Sequence, residues 1–236
     1  MKRILPAIAL IAGLSLAGCT GGGEGKTQDE GGNDPSQAAA AEESQVTQLD
    51  EAKLKEILES TDADGQTFKS IDTGSSSGSE ALKAMENAEF DPAECKDLTM
   101  AALNASQASK GTTVAGASSD STLSVGLSSF ADEGAAGSQL QNSSKVTEEC
   151  NDVTIKTQGI EMTMKFEPFD ATVAGADETV GVKATIDAGG QTVLNTSSIN
   201  ARVGNNIVAA ANIADIDEAT VGKTAETFVE AVQNAG

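Results

Sequence analysis

The chain has no histidine, tryptophan or tyrosine among its 236 residues, and only 6 Phe. Without an imidazole there is no Ser-His-Asp triad, no Cys-His nucleophile pair and no histidine metal ligand. Basic residues are scarce: 15 Lys plus Arg stand against 36 Asp plus Glu, a formal net charge of −21. Such a chain is repelled by a phosphate backbone, so no nucleic-acid partner is expected. Long apolar runs are also missing apart from one short stretch at the start, which excludes a bundle of membrane-spanning helices. No Cys-x-x-Cys occurs, so neither a thioredoxin-like redox motif nor a zinc ribbon is supported.

What is present begins with an address. Met1-Lys2-Arg3 is a basic start, and Ile4 to Leu16 is an apolar run slightly short for a permanent span of ~30 Å. The run ends in Leu16-Ala17-Gly18-Cys19, which resembles a bacterial lipobox. Small residues at 17 and 18 suit a signal-peptidase cleft, and the Cys19 thiol would accept diacylglycerol. The competing reading is an anchor helix that happens to carry a cysteine. The agreement of basic start, apolar run, small residues and cysteine favours a lipoprotein signal peptide over residues 1–18. Cleavage there loses two cations and no acid, taking the charge from −21 to −23. Two or more acyl chains would hold Cys19 stably at the membrane, on the extracytoplasmic side of the cell envelope.

Residues 19–48 then read as the lipidated cysteine and a disordered acidic linker. Gly21 to Gly23, Gly31-Gly32 and Ala38 to Ala41 lie among acids, Gln and Ser, with almost no large apolar side chain. About 28 flexible residues reach roughly 30 Å. Residues 49–236 carry the pattern of one folded domain. In an oxidising compartment Cys95 and Cys150 form an even pair, and closing a loop of roughly 56 residues would add ~4 kcal/mol in the chain-entropy model. The alternative is two free buried thiols.

Helical and strand periods alternate along this domain. Asp50 is an N-cap for a helix over Glu51 to Glu59, with Leu49 and Leu54 as a staple and Leu54, Ile57 and Leu58 as its apolar face. A Gly74 to Gly78 loop precedes a weaker helix around Glu80 to Asn87. A third helix is expected to open at Asp91-Pro92-Ala93-Glu94, with Cys95, Leu98 and Ala102 inward. Leu123, Val125 and Leu127 alternate as a strand, and Ser138 to Glu149 fits a helix. Val153 to Ile155, Met162 to Phe166 and Val180 to Ile186 repeat the strand period. Asp187-Ala188-Gly189-Gly190 and Gly204-Asn205-Asn206 are hairpin signals that bound strands over Thr192 to Val203 and Ile207 to Ile213. Asp217 caps a final helix whose Val221, Ala225, Phe228, Val229 and Val232 share one face. The expected class is α+β: a mostly antiparallel sheet with helices packed on one face, preceded by the signal peptide and disordered stalk.

Chemical motifs are weak. Gly74-Ser75-Ser76-Ser77-Gly78 formally fits Gly-x-Ser-x-Gly, but it lies in a Ser/Gly loop and has no histidine to serve as base. Ser-x-x-Lys is absent. Ser60-Thr61-Asp62-Ala63-Asp64-Gly65 resembles part of a calcium loop, yet its twelfth position is Ile71 and the nearest acid, Asp72, comes one residue late. An Asp-Gly turn explains it more simply. The Met162, Met164, Phe166 stripe reads as core. Acids are dispersed rather than paired, so no catalytic residue, metal site or cofactor is assigned, and the chain is read as a non-enzymatic monomer.

Three fragments resemble the actinobacterial sensor-domain family related to the extracellular domain of the serine/threonine kinase PknH. These are Asp91-Pro92-Ala93-Glu94-Cys95, Cys150 just before a strand, and Asn200 to Val208 leading into Ala225-Glu226-Thr227-Phe228-Val229. The resemblance implies an α+β fold with a ligand cleft, found in kinase ectodomains or free lipoproteins. This chain has one internal cysteine pair where many relatives have two, and it lacks the tryptophan common before the second cysteine. No ligand residue is therefore carried over. Three functions follow as expectations: a sensor-like module for a small molecule or envelope component, a lipid carrier resembling the LppX and LprG lipoproteins, or an envelope spacer or adhesin. An apolar cavity lined by Met162, Met164 and Val182 would mark the carrier, and a solvated polar groove the sensor.

Overall fold

The computed structural model describes residues 48–71, 84–103, 111–157, 159–213 and 217–235. The expected signal peptide, Cys19, the linker before Gln48, the Gly74 to Gly78 loop and Asp72 lie outside these residues. Ten strands form a single antiparallel sheet, and four helices pack against it among the described residues. The α+β class read from the sequence is the observed one.

The helices follow their caps. In α1 (Glu51–Ser60), Asp50 Oδ1 accepts the Lys53 N–H at 2.8 Å, and Leu54, Ile57 and Leu58 are buried. In α4 (Glu218–Gln233), Asp217 caps through Thr220, and the five expected apolar residues face the core. Helix α3 (Glu133–Glu149) starts earlier than its apolar pattern suggests, because Asp132 accepts the Ala135 N–H. Helix α2 (Cys95–Leu103) starts later than the Asp-Pro signal suggests. Asp91 is committed to a sheet edge opposite Thr154, so residues 92–94 form a turn and the helix opens at Cys95. Of the weaker helix expected around Glu80 to Asn87, residues 84–86 are described and are helical.

The strands are β1 (Asp62–Ala63), β2 (Gln66–Ser70), β3 (Glu89–Asp91), β4 (Thr112–Ser118), β5 (Leu123–Ser129), β6 (Asp152–Thr157), β7 (Ile160–Phe169), β8 (Glu178–Ala188), β9 (Gln191–Val203) and β10 (Asn206–Asn212). Their order across the sheet is β1-β2-β4-β5-β10-β9-β8-β7-β6-β3. Strands β6 to β10 run as a meander, and β10 then pairs with β5 as well as β9. One strand therefore joins two half-sheets. A close approach at Gly181 of β8 shapes the exit from β7. A Cβ there would lie 2.6 Å from the Phe169 carbonyl oxygen, where the chain leaves β7 and folds back over β8.

Among the described residues each half-sheet has one face under helices and one face open, and the covered side changes at the centre. Side chains of successive strand residues point to opposite faces. Val208 and Ala210 of β10 share a core with Phe68, Leu127, Ile199 and the inner faces of α1 and α4. Ile207 points the other way and packs with Phe130, Ala136 and Leu140, at the start of α3. On that second face Phe90, Val153, Ile155, Met164, Phe166 and Val182 form the core beneath α2 and α3. Phe68 and Phe228 meet edge to face at 5.1 Å, locking β2 to α4. No helix among the described residues is long and apolar enough to cross a membrane.

Cys95, at the start of α2, is disulfide-bonded to Cys150, at the end of α3, with a Cα–Cα distance of 5.5 Å. The bond closes a separation of 55 residues and lies in the second core. Replacing both cysteines by alanine is expected to lower unfolding free energy by ~4 kcal/mol. Denaturant titration checks this, and equal midpoints for variant and parent would contradict it.

Candidate functional site

The sites suggested by sequence separate cleanly in space. Asp64 and Gly65, both at positive φ (56° and 81°), form the two-residue turn between β1 and β2, and Asp62 Oδ1 accepts the Gly65 N–H at 2.7 Å. The calcium-like segment is therefore a hairpin turn, with the first of its acids spent on its own backbone. Ile71, its twelfth position, is an exposed apolar residue. Met164, Phe166 and Val182 are buried and Met162 is partly buried, all packed in the second core with Cys95, Cys150 and Val146. That stripe is core. Ala102 falls where only the backbone is described.

Three open grooves stand out among the described residues, of about 650, 650 and 580 Å³. One runs along the outer side of α4, past Gly175 and Glu226. Another lies on the uncovered face of β7 and β8, between Lys165 and Asp187. The third, at the free end of β9, has a distinct composition. It holds Val193, Leu194 and Ile213, three of the five exposed large apolar side chains in the described structure. Their neighbours are Lys183, Asp217 and Glu218.

The third groove arises from a mismatch of strand lengths. Strand β9 spans Gln191–Val203, whereas β10 pairs with it only over Ser198 to Val203. Beyond that ladder, Asn212 closes the first open position. Its side-chain oxygen accepts the Ser197 N–H at 2.6 Å, and its carbonyl accepts the Thr196 hydroxyl at 2.8 Å. Since backbone groups alternate sides along a strand, Asn195 turns its N–H and C=O the same way as Ser197, into the groove. Strand β8 holds the other side of β9 through Ala188, with a register shift at Ile186/Asp187 that leaves Val193 outside the one-to-one pairing. The result is a short stretch of open sheet edge flanked by apolar side chains.

The charged wall of the groove is held in place. Lys183 Nζ lies 2.7 Å from Glu218 Oε1 and 5.6 Å from the Phe169 ring centroid. Asp217 accepts the Thr220 N–H at 2.9 Å and its hydroxyl at 3.2 Å. The Thr220 backbone N–H, assisted by its hydroxyl, holds the Asp217 carboxyl below its ordinary value. This is an anionic, apolar-lined edge in which the charges are tied to structural roles. Nothing in it pairs an acid with a base across a reacting position. No cluster of three metal-ligating side chains is present among the described residues.

No family model and no curated protein matches the sequence. Solved structures to which the chain is similar include two mycobacterial proteins. One is the extracellular domain of PknH from Mycobacterium tuberculosis. It is 13% identical, over 80% of this chain and 98% of that one, with a TM-score of 0.49. The other is a putative uncharacterized protein, an Rv0999 ortholog, from Mycobacterium smegmatis. It is 18% identical, over 71% of this chain and 86% of that one, with a TM-score of 0.39.

The sequence motifs point to no groove residue. A signal was nonetheless available: residues 188–201 contain no charged side chain in a chain where 22% of residues are charged. The strands expected around Gly204-Asn205 were also unequal in length.

Two other carboxyls share the depressed titration of Asp217. The Ser118 and Thr122 hydroxyls lower Asp120, and the Ser70 hydroxyl lowers Glu59. A carboxyl depressed in the folded state stabilises above its unfolded pKa, and that contribution is lost as pH falls through the lower folded value. Stability should therefore decline below about pH 4. Asp217→Asn, which retains a capping side chain, should flatten this acid limb. An unchanged slope in denaturant titrations between pH 2 and 5 would contradict the assignment.

Proposed function

We propose that the protein is a lipid-anchored extracytoplasmic binding module of the cell envelope, sensor-like and non-enzymatic. Cys19 is the anchor, the acidic Gly/Ala-rich segment after it is the spacer, and the domain that follows presents its ligand site to the exterior. The observation that carries the binding reading is the open groove at the end of β9, where Val193, Leu194 and Ile213 lie exposed beside Lys183, Asp217 and Glu218. A monomeric globular domain has little reason to expose apolar side chains together unless they meet something.

Several features support the rest. The Cys95–Cys150 bond suits an oxidising compartment. The basic start, apolar run and Leu16-Ala17-Gly18-Cys19 sequence suit export and lipidation. A chain without histidine lacks the commonest general base, and the groove's own ionic groups are occupied in an ion pair and a helix cap. The carrier reading finds less support. Met164 and Val182, which would line an acyl cavity, are packed against α2 and α3.

Cys19→Ser is expected to move the protein from the membrane fraction to the soluble fraction. A variant that remains membrane-bound after signal cleavage would overturn the anchor. Native mass spectrometry of protein taken from its own membrane is expected to show no acyl lipid in the domain. A stoichiometric co-purified lipid would favour the carrier instead.

A further inference from the structure

The groove at the end of β9 offers a polypeptide what it needs to extend a sheet, and we propose that its occupant is an extended, cationic peptide segment that adds beside β9. The backbone supplies the first part of the argument. The ladder to β10 stops at Ser198, Asn212 satisfies Ser197, and Asn195 then turns an N–H and a C=O outward. Unpaired edge groups of this kind template another strand, and natural proteins usually blunt them with lysine, proline or a cover. Residues 191–196 carry neither lysine nor proline, and among the described residues no strand covers their edge opposite β8.

Side chains supply the second part. Val193 is 60% exposed, Ile213 45% and Leu194 38%. They give an incoming strand apolar contacts, the usual source of specificity when main-chain pairing supplies affinity. Charge decides between occupants. Lys183 is neutralised by Glu218, leaving Asp217 as the net charge of the groove, and the chain around it carries −21. A second copy would bring that same charge to its own edge. The linker of this chain is also acidic, with Glu24, Asp29, Glu30, Asp34, Glu42 and Glu43 against Lys26. An apolar-centred segment with flanking lysine or arginine is attracted where both of these are repelled, and it would be drawn in by the long-range field.

This inference rests on the groove being the ligand site, and it fails separately from the anchor and the lipid test. The probe is a fluorescein-labelled ten-residue peptide of alternating threonine and valine with two lysines at each end. Its binding to the full-length protein in detergent micelles is followed by anisotropy. Asn195→Pro removes the outward N–H, and Val193→Lys places a repelling cation on the same edge at an exposed position; each should weaken binding at least tenfold. N-methylation of alternate valines in the peptide should do the same, as should glutamates in place of the lysines. Equal affinity for both protein variants and the parent would overturn the proposal, as would indifference to N-methylation. A glutamate-flanked peptide that binds equally well would overturn the charge argument. A dimer in sedimentation that Asn195→Pro dissolves would make a second copy the occupant, and the proposal would fail.

Discussion

The structure depends on β10 being paired on both sides. Its seven residues, Asn206–Asn212, meet β5 on one edge and β9 on the other. Without it β1-β2-β4-β5 and β9-β8-β7-β6-β3 would be two separate sheets, each with an exposed edge. Their helices lie on opposite faces. Val208 and Ala210 feed the core under α1 and α4, and Ile207 feeds the core under α3. Ala, Val and Ile fill this seam because residues buried from both sides cannot alternate with charge. Asn205 and Asn206 finish it, with the buried Asn205 amide donating to the Phe130 carbonyl at 2.6 Å.

The same strand also sets the candidate site. It ends at Asn212, while β9 continues towards the Gly189-Gly190 turn with β8 as its partner among the described strands. From Asn212 the chain passes by Ile213 to the cap of α4, so the open edge acquires a wall containing Asp217 and Glu218. Edge, apolar cluster and anionic wall are thus consequences of one strand ending before its neighbour does. The groove does not interrupt either core. Substitutions at Val193 or Asn195 can therefore alter the groove while the cores remain packed.

Much of this was legible in the residues, for identifiable reasons. Helices α1 and α4 combine an aspartate cap with a strict apolar face, and β5 to β10 carry a clear two-residue period or a glycine turn. What escaped lacks such signals. Strands β1 and β2 are short, and their Asp-Gly turn resembles a ligand loop. Strand β4, Thr-Thr-Val-Ala-Gly-Ala-Ser, is made largely of small residues that barely contrast buried with exposed. Strand β3 has only three residues, and its pairing with β6 claims Asp91 from the helix start. The first turns of α3 are Gly/Ala/Ser-rich and read as loop until Asp132 is seen to cap them. The change of covered face could not be read at all, because it follows from pairing between β5 and β10, 77 or more residues apart in every matched pair. The missing histidine is plain in the sequence, but the groove depends on where one strand stops relative to another.

Residue-resolved amide hydrogen exchange on the free protein tests this central feature most directly. Protection should be high for Ile199 and Ala201, which face β10, and for Leu194 and Thr196, which face β8, while Asn195 between them exchanges rapidly. Uniform protection from Leu194 to Ala201 would mean that the β9 edge is already closed, and the account of the groove would be contradicted.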